Sequence, residues 1–226
     1  MHGPFIFHHI PKAGGTSIRV ALSKWFKILN DYRPYCTADS EEYKRYLSSS
    51  YDLSKYDGQY LIVGHFEWDG IHIFERYPSF VDDNTSRAFA FFRNPLSLAI
   101  SLYYHGKNVV GYNNNYTLEK HLSTISNFTA GVLGANQYDF KSIMDKYFYI
   151  GIVDDIQLSL DILASMLKKP LQQLPQLNIS EKDKQKDTIS LKTLDLFVQN
   201  NQLDISIFEY AKIKFAEYTN RVSDLR

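Results

Sequence analysis

Four short apolar runs mark the first two thirds of the chain, at residues 5–9, 60–65, 88–93 and 148–153. Each is rich in Ile, Val, Phe or Tyr, and the first three end on a polar residue or a turn signal. That pattern predicts strands buried on both faces. Apolar residues at helical period lie between and after them. Ile18, Leu22, Trp25 and Leu29 fall on one face of a predicted helix, as do Ile156, Leu160, Leu163 and Leu167. Leu191, Leu194 and Val198 make a third stripe, and Ile207, Ala211, Phe215, Tyr218 and Val222 a fourth. Such stripes ordinarily face a core. Strands alternating with helices predict an α/β fold, with a central, mostly parallel sheet covered on both faces. Residues 105–120, with Gly106, Gly111 and three consecutive Asn, read as a loop, and residues 168–188 as a surface crossing. With no internal repeat and no composition break, a single domain over 1–226 is expected.

Composition narrows the chemistry. Lys plus Arg and Asp plus Glu each number 25 in 226 residues, so the formal net charge is zero. A nucleic-acid partner, which calls for a basic excess, is therefore not expected. The one cysteine, Cys36, cannot form an internal disulfide and gives a thiol or Cys-based zinc site little to build on. No run approaches the ~18 apolar residues that span a bilayer. His8, His9 and the Pro11-Lys12 pair interrupt the first apolar run, which is no signal peptide. The chain is expected to be cytoplasmic, or else the catalytic core of a longer membrane-anchored protein. The sequons at Asn84, Asn115, Asn127 and Asn178 read as products of an Asn- and Ser-rich chain.

The most informative stretch follows the first predicted strand: Pro11-Lys12-Ala13-Gly14-Gly15-Thr16-Ser17, then an amphipathic helix. Gly14 and Gly15 allow consecutive N–H groups to point at a ligand, and the helix start adds its dipole and free donors. Lys12 supplies charge, and Thr16 and Ser17 supply hydroxyls. The string is not a Walker A loop, in which the lysine follows the last glycine. A second pattern is the run 88–92, then Arg93, Asn94 and Pro95, with Ser101 eight residues after Arg93. Asn94 suits an N-cap and Pro95 a first helical position. A planar guanidinium at a strand end suits a phosphate.

These strings resemble the sulfotransferases that use 3′-phosphoadenosine 5′-phosphosulfate (PAPS), and in particular the branch of carbohydrate 2-O-sulfotransferases and related bacterial enzymes. The resemblance spans residues 5 to about 180 and is specific only in the first loop. It implies a P-loop-like three-layer α/β/α fold and a sulfotransferase activity, with PAPS as sulfuryl donor and its bisphosphate PAP as product. Lys12, Gly14, Gly15, Thr16 and Ser17 would hold the 5′-phosphosulfate, and Arg93 and Ser101 the 3′-phosphate. The strand 149–154, with Gly151 and Asp154, and the segment 175–180 are fainter echoes.

Transfer to a hydroxyl also needs charge stabilisation at the departing oxygen, assigned to Lys12, and a base. His65 closes the string Val63-Gly64-His65-Phe66-Glu67 at the expected C-terminal edge of the sheet, and its pKa range suits a base. Glu67 is the alternative base, or orients His65. His8 ends the first strand beside the phosphate loop and so is placed in the same cleft, with His9 pointing to the opposite face. His72, His105 and His121 carry no pattern, and no spacing of histidines predicts a metal. The acceptor is expected to be a small molecule or carbohydrate. Tyr103, Tyr104, Tyr112 and Tyr116 could stack on a sugar face or enclose an acyl chain, but most of the aromatics read as core. The alternative readings are a nucleotide-binding module without turnover, or a P-loop-like kinase.

Overall fold

The computed structural model describes residues 3–34, 36–37, 39–66, 71–79, 87–111, 115–174 and 189–223. Five strands form one sheet: β1 (Phe5–His8), β2 (Lys27–Asn30), β3 (Tyr60–Gly64), β4 (Ala88–Phe92) and β5 (Tyr149–Ile152). Their order is β2-β3-β1-β4-β5 and every pairing is parallel, so all C-terminal strand ends share one edge. β3 and β4, consecutive in the chain, lie on opposite sides of β1, which makes the C-terminal edge beside β1 a natural place for a ligand. β1, β4 and β5 are buried at every position, as continuous apolar runs in a parallel sheet require. Phe7 stacks on Phe89 with ring centroids 5.3 Å apart. Gly151 leaves room for the Phe91 ring, which a Cβ there would approach to 2.6 Å.

The helices are α1 (Gly15–Leu22), α2 (Glu41–Ser48), α3 (Ile73–Arg76), α4 (Pro95–His105), α5 (Leu118–Thr124), α6 (Phe128–Leu133), α7 (Phe140–Met144), α8 (Ile156–Leu167), α9 (Leu191–Asn200) and α10 (Gln202–Ser223). The predicted stripes of α8 and α10 do face the core: Leu160, Leu163, Ile207, Ala211, Phe215 and Tyr218 are buried. Both helices pack on β5.

Three expectations need correction. The stripe from Ile18 to Leu29 is not one helix. α1 ends at Leu22, a turn follows, and Leu29 lies in β2, because pairing Lys27–Asn30 with β3 satisfies more backbone than another helical turn would. On α9 the buried residues are Thr193 and Phe197, not Leu191 and Val198, which are 80% and 46% exposed. Phe197 offers the larger apolar surface and takes the inward face with Ala99, Tyr103, Leu118 and Leu122. The 105–120 stretch is partly helical, since α4 runs on into a π turn over Gly106–Val110 and α5 begins at Leu118. Tyr103 and Tyr116 belong to that second core, where the Tyr103 hydroxyl donates to the Tyr116 carbonyl at 3.2 Å. Tyr112 and the 175–188 segment lie outside the described residues.

One polar device is buried against the edge of the sheet. Asp31, just past β2, accepts two guanidinium N–H bonds from Arg76 at 2.6 and 2.7 Å and a third bond from the Tyr77 hydroxyl at 2.6 Å. The remaining Arg76 donors reach the carbonyls of Tyr46 and Ser49, and its plane lies 4.1 Å over the Tyr46 ring. Among the described residues no helix is long and apolar enough to cross a membrane.

Candidate functional site

β1 delivers two histidines to the C-terminal edge, and they do different things. His8 is fully buried. Its Nε2–H donates to the His65 carbonyl at 2.7 Å, which leaves Nδ1 to accept from the Tyr147 hydroxyl at 2.6 Å. With both nitrogens committed, His8 does not line the cleft as expected. His9 points the other way, as the strand period requires, but into the site. Its backbone N–H donates to Gly64 at 2.8 Å, its Nδ1 meets the Tyr32 hydroxyl at 2.8 Å, and its ring lies 4.6 Å from that of His65. The parity was right and the side assigned to the cleft was wrong, because the sheet's twist and the loop beyond it decide which face is filled.

The loop that follows reverses sharply. Lys12 and Gly14 both have left-handed φ, 63° and 75°. For Lys12 this is a strained conformation of the kind that accumulates at ligand sites. Gly14 also sits against Ile156, which a Cβ would meet at 2.8 Å. Gly15 has a different reason: its missing Cβ leaves the space that the His9 ring occupies, 1.8 Å from where that atom would be. α1 then starts with no side-chain cap and no acidic residue in its first turn. With no capping side chain and no carboxylate there, its positive dipole end suits an anion. Thr16 is exposed and Ser17 half-buried on that turn.

Two further strand ends meet this loop. Arg93, immediately after β4, donates from Nη1 to the Lys12 carbonyl at 2.9 Å. Among the described residues it forms no ion pair. Burial lowers its pKa, opposed by Asp154 nearby. Burial also lowers the Lys12 pKa, and the Arg93 charge adds to the effect. Asn94 caps α4 as expected, accepting from the N–H groups of Leu96 and Ser97, with Pro95 first in the helix. Ser101 lies two turns along and is buried.

His65 follows β3. Its Nδ1 lies 2.7 Å from the His9 carbonyl, which can only accept, so the neutral ring carries its proton there. Nε2 is therefore the basic atom, and it has no hydrogen-bond partner among the described residues. Burial lowers the His65 pKa, which keeps the ring neutral near pH 7. Phe66 takes φ 48° at the turn out of β3, a second strained residue at this edge. Glu67 lies outside the described residues. Among them, no group of three or more His, Cys, Asp or Glu could hold a metal ion.

The structure thus puts Lys12, Gly14, Gly15, Thr16, Ser17, His65 and Arg93 at the C-terminal edge of the sheet and sets His9 and Tyr32 beside His65 there, two residues that sequence reasoning had not included. No family model and no curated protein sequence matches the chain. Solved structures do. A sulfotransferase from Alicyclobacillus acidocaldarius aligns with TM-score 0.50 at 13% identity, over 92% of this chain and 94% of that one. Mouse sulfotransferase SULT7A1, complexed with PAP, aligns with TM-score 0.54 at 12% identity, over 92% of this chain and 89% of that one. The fold is the sulfotransferase fold. At these identities the likeness is one of architecture, and the sulfotransferase-like sheet sets its crevice at the edge where Lys12 and Arg93 meet.

The buried histidines make this fold acid-sensitive. Burial drives the pKa of both His8 and His9 down to about 3; at His8 the hydrogen bond to the His65 carbonyl opposes this, and the charge on His65 adds to it in each. A folded-state pKa below the unfolded value of 6.5 means that protons bind preferentially to the unfolded chain. The stability from keeping each ring neutral is complete above pH 6.5 and is lost as pH falls toward 3. His8 alone should remove about 2 kcal/mol between pH 7 and pH 5, and His9 acts in the same direction. Urea unfolding at the two pH values measures this; equal midpoints would contradict it.

Proposed function

We propose that the protein transfers a sulfuryl group from PAPS to an acceptor hydroxyl. The observation that carries this reading is the Arg93–Lys12 link: it joins two strand ends and holds two cations beside an uncapped helix start. An anion with two separated phosphate ends matches that arrangement. The residues fit the donor's chemistry, since the first turn of α1 contains no carboxylate to compete with it. Lys12, Gly14, Gly15, Thr16 and Ser17 would hold the 5′-phosphosulfate through N–H, hydroxyl and ammonium donors. Arg93 and Ser101 would hold the 3′-phosphate.

PAPS supplies an activated sulfuryl group on a phosphate leaving group. The chain's own part is placement and proton handling. Lys12 offsets negative charge at the departing oxygen. The Nε2 of His65 takes the acceptor's proton, its ring held in the right tautomer by the His9 carbonyl. A net charge of zero favours a small or neutral hydroxylated acceptor, such as a sugar, over a highly sulfated polymer.

Thermal unfolding with 3′,5′-adenosine bisphosphate tests the reading. A ligand held only by the folded chain, at a hundredfold excess over its Kd, adds ~2.7 kcal/mol. A clear rise in Tm is expected with this nucleotide. No shift, together with a clear shift from ATP, would overturn the proposal in favour of a kinase.

A further inference from the structure

A cleft of about 770 Å³ lies at the opposite edge of the sheet. That volume suits a small organic ligand. Its walls include the residues that lead into three strands: Gly3 and Pro4 before β1, Tyr60 at the start of β3 and Arg87 just before β4. Arg87 and Arg93 flank β4, so strand rise alone puts them about 20 Å apart. This cleft is separate from the crevice at Lys12.

Arg87 is only 6% exposed, yet it lines the cleft. One of its N–H groups donates to the Gly3 carbonyl, and its guanidinium lies 5.7 Å from the Phe5 ring. Neither group is an anion, and among the described residues Arg87 forms no ion pair. Burial lowers its pKa, and no neighbouring charge contributes. Among the described residues it thus meets no counter-ion, and only one of the five guanidinium donors is given to the Gly3 carbonyl. The acids in the same cleft are engaged elsewhere: Asp52 accepts from Ser54 and pairs with Lys55 at 3.5 Å, and Asp57 accepts from Gln59. Three half-exposed rings line the same cleft, with Tyr51–Tyr56 centroids 5.8 Å apart and Tyr56–Tyr60 centroids 5.0 Å apart. Such rings provide apolar faces and edges for another ring.

We propose that this cleft is a second ligand site for a small ring-bodied organic anion, whose carboxylate or phosphate pairs with Arg87 while its ring lies against Tyr56 and Tyr60. The guanidinium fork suits either anionic group. The proposal does not depend on sulfuryl transfer.

The arginine Nε–H resonances of the full chain test it. Phenyl phosphate, benzoate and inorganic phosphate are titrated separately, with 3′,5′-adenosine bisphosphate present to occupy the crevice at Lys12. The Arg87 resonance should move saturably with phenyl phosphate or benzoate, at an affinity at least about fivefold tighter than with inorganic phosphate. The tighter of the two identifies the anionic group. Tyr56→Ala, at a half-exposed position, should reduce that affinity to the inorganic-phosphate level. Arg87→Gln should abolish saturation followed through the Tyr60 ring. An Arg87 resonance that none of the three moves would overturn the proposal, as would equal affinity for inorganic phosphate or unchanged binding by the Tyr56 variant. If the bisphosphate itself fails to bind, the sulfuryl-transfer reading falls, and the Arg87 resonance still decides this one.

Discussion

Replacing Arg76 with alanine is expected to cost about 3–5 kcal/mol, the range for breaking a buried ion pair from one side. The side chains of Arg76 and Asp31 are 3% and 7% exposed, so water cannot take over the lost bonds. The truncation leaves a buried carboxylate with the Tyr77 hydroxyl as its remaining side-chain donor among the described residues, and it removes the Arg76 bonds to the carbonyls of Tyr46 and Ser49. Against a typical total stability of roughly 5–15 kcal/mol, this removes between about a fifth and all of the margin. Urea denaturation measures it. Removing both charges with Asp31→Leu and Arg76→Met together should recover much of the loss, since a buried pair gains little over apolar groups of similar volume. A single Arg76→Ala variant within about 1 kcal/mol of the parent would contradict the account, being no worse than an exposed pair.

His65→Ala is expected to lower the rate of sulfuryl transfer by about 10²–10⁴-fold, the usual contribution of a positioned general base. Binding of 3′,5′-adenosine bisphosphate should persist, because the groups proposed to hold its phosphates are Lys12, Arg93 and the start of α1. The expected signature is a fall in kcat with the donor KM nearly unchanged. Loss of the rate's dependence on a group titrating below the ordinary histidine range should accompany it, since burial holds the His65 pKa down. An unchanged rate would move the base elsewhere, with Glu67 the next residue to replace. If the parent chain binds the bisphosphate but transfers to no hydroxyl in a panel of sugars and hydroxylated lipids, the protein is a nucleotide-binding module without turnover.

Much of this site could be read from residue order. Pro11 to Ser17, between an apolar run and a helical stripe, specified a turn rich in N–H donors, because local glycines and a helix start are enough to build one. Arg93, Asn94 and Pro95 were legible for a similar reason: strand end, cap and first helical residue are neighbours in sequence. The four runs read as strands are β1, β3, β4 and β5, each within a residue of its predicted ends. β2 was not visible, because four residues of mixed polarity at a sheet edge carry no period of two, and Leu29 happened to continue a helical stripe. α9 was visible as a helix, but its inward face was not, because Leu191, Leu194 and Val198 fit the period as well as Thr193 and Phe197 do.

Local order by itself determined the strand–turn–helix around residues 11–17, the parallel α/β class and the cations at two strand ends. Each of these depends on groups a few residues apart. Tertiary structure alone decided which of two adjacent histidines is buried, why Gly15 must lack a side chain, and that Tyr32 and His9 stand beside His65. Those facts depend on contacts between residues 6 to 139 positions apart, along which no local periodicity extends. Only the packing of β1 between β3 and β4 brings such groups within hydrogen-bonding distance.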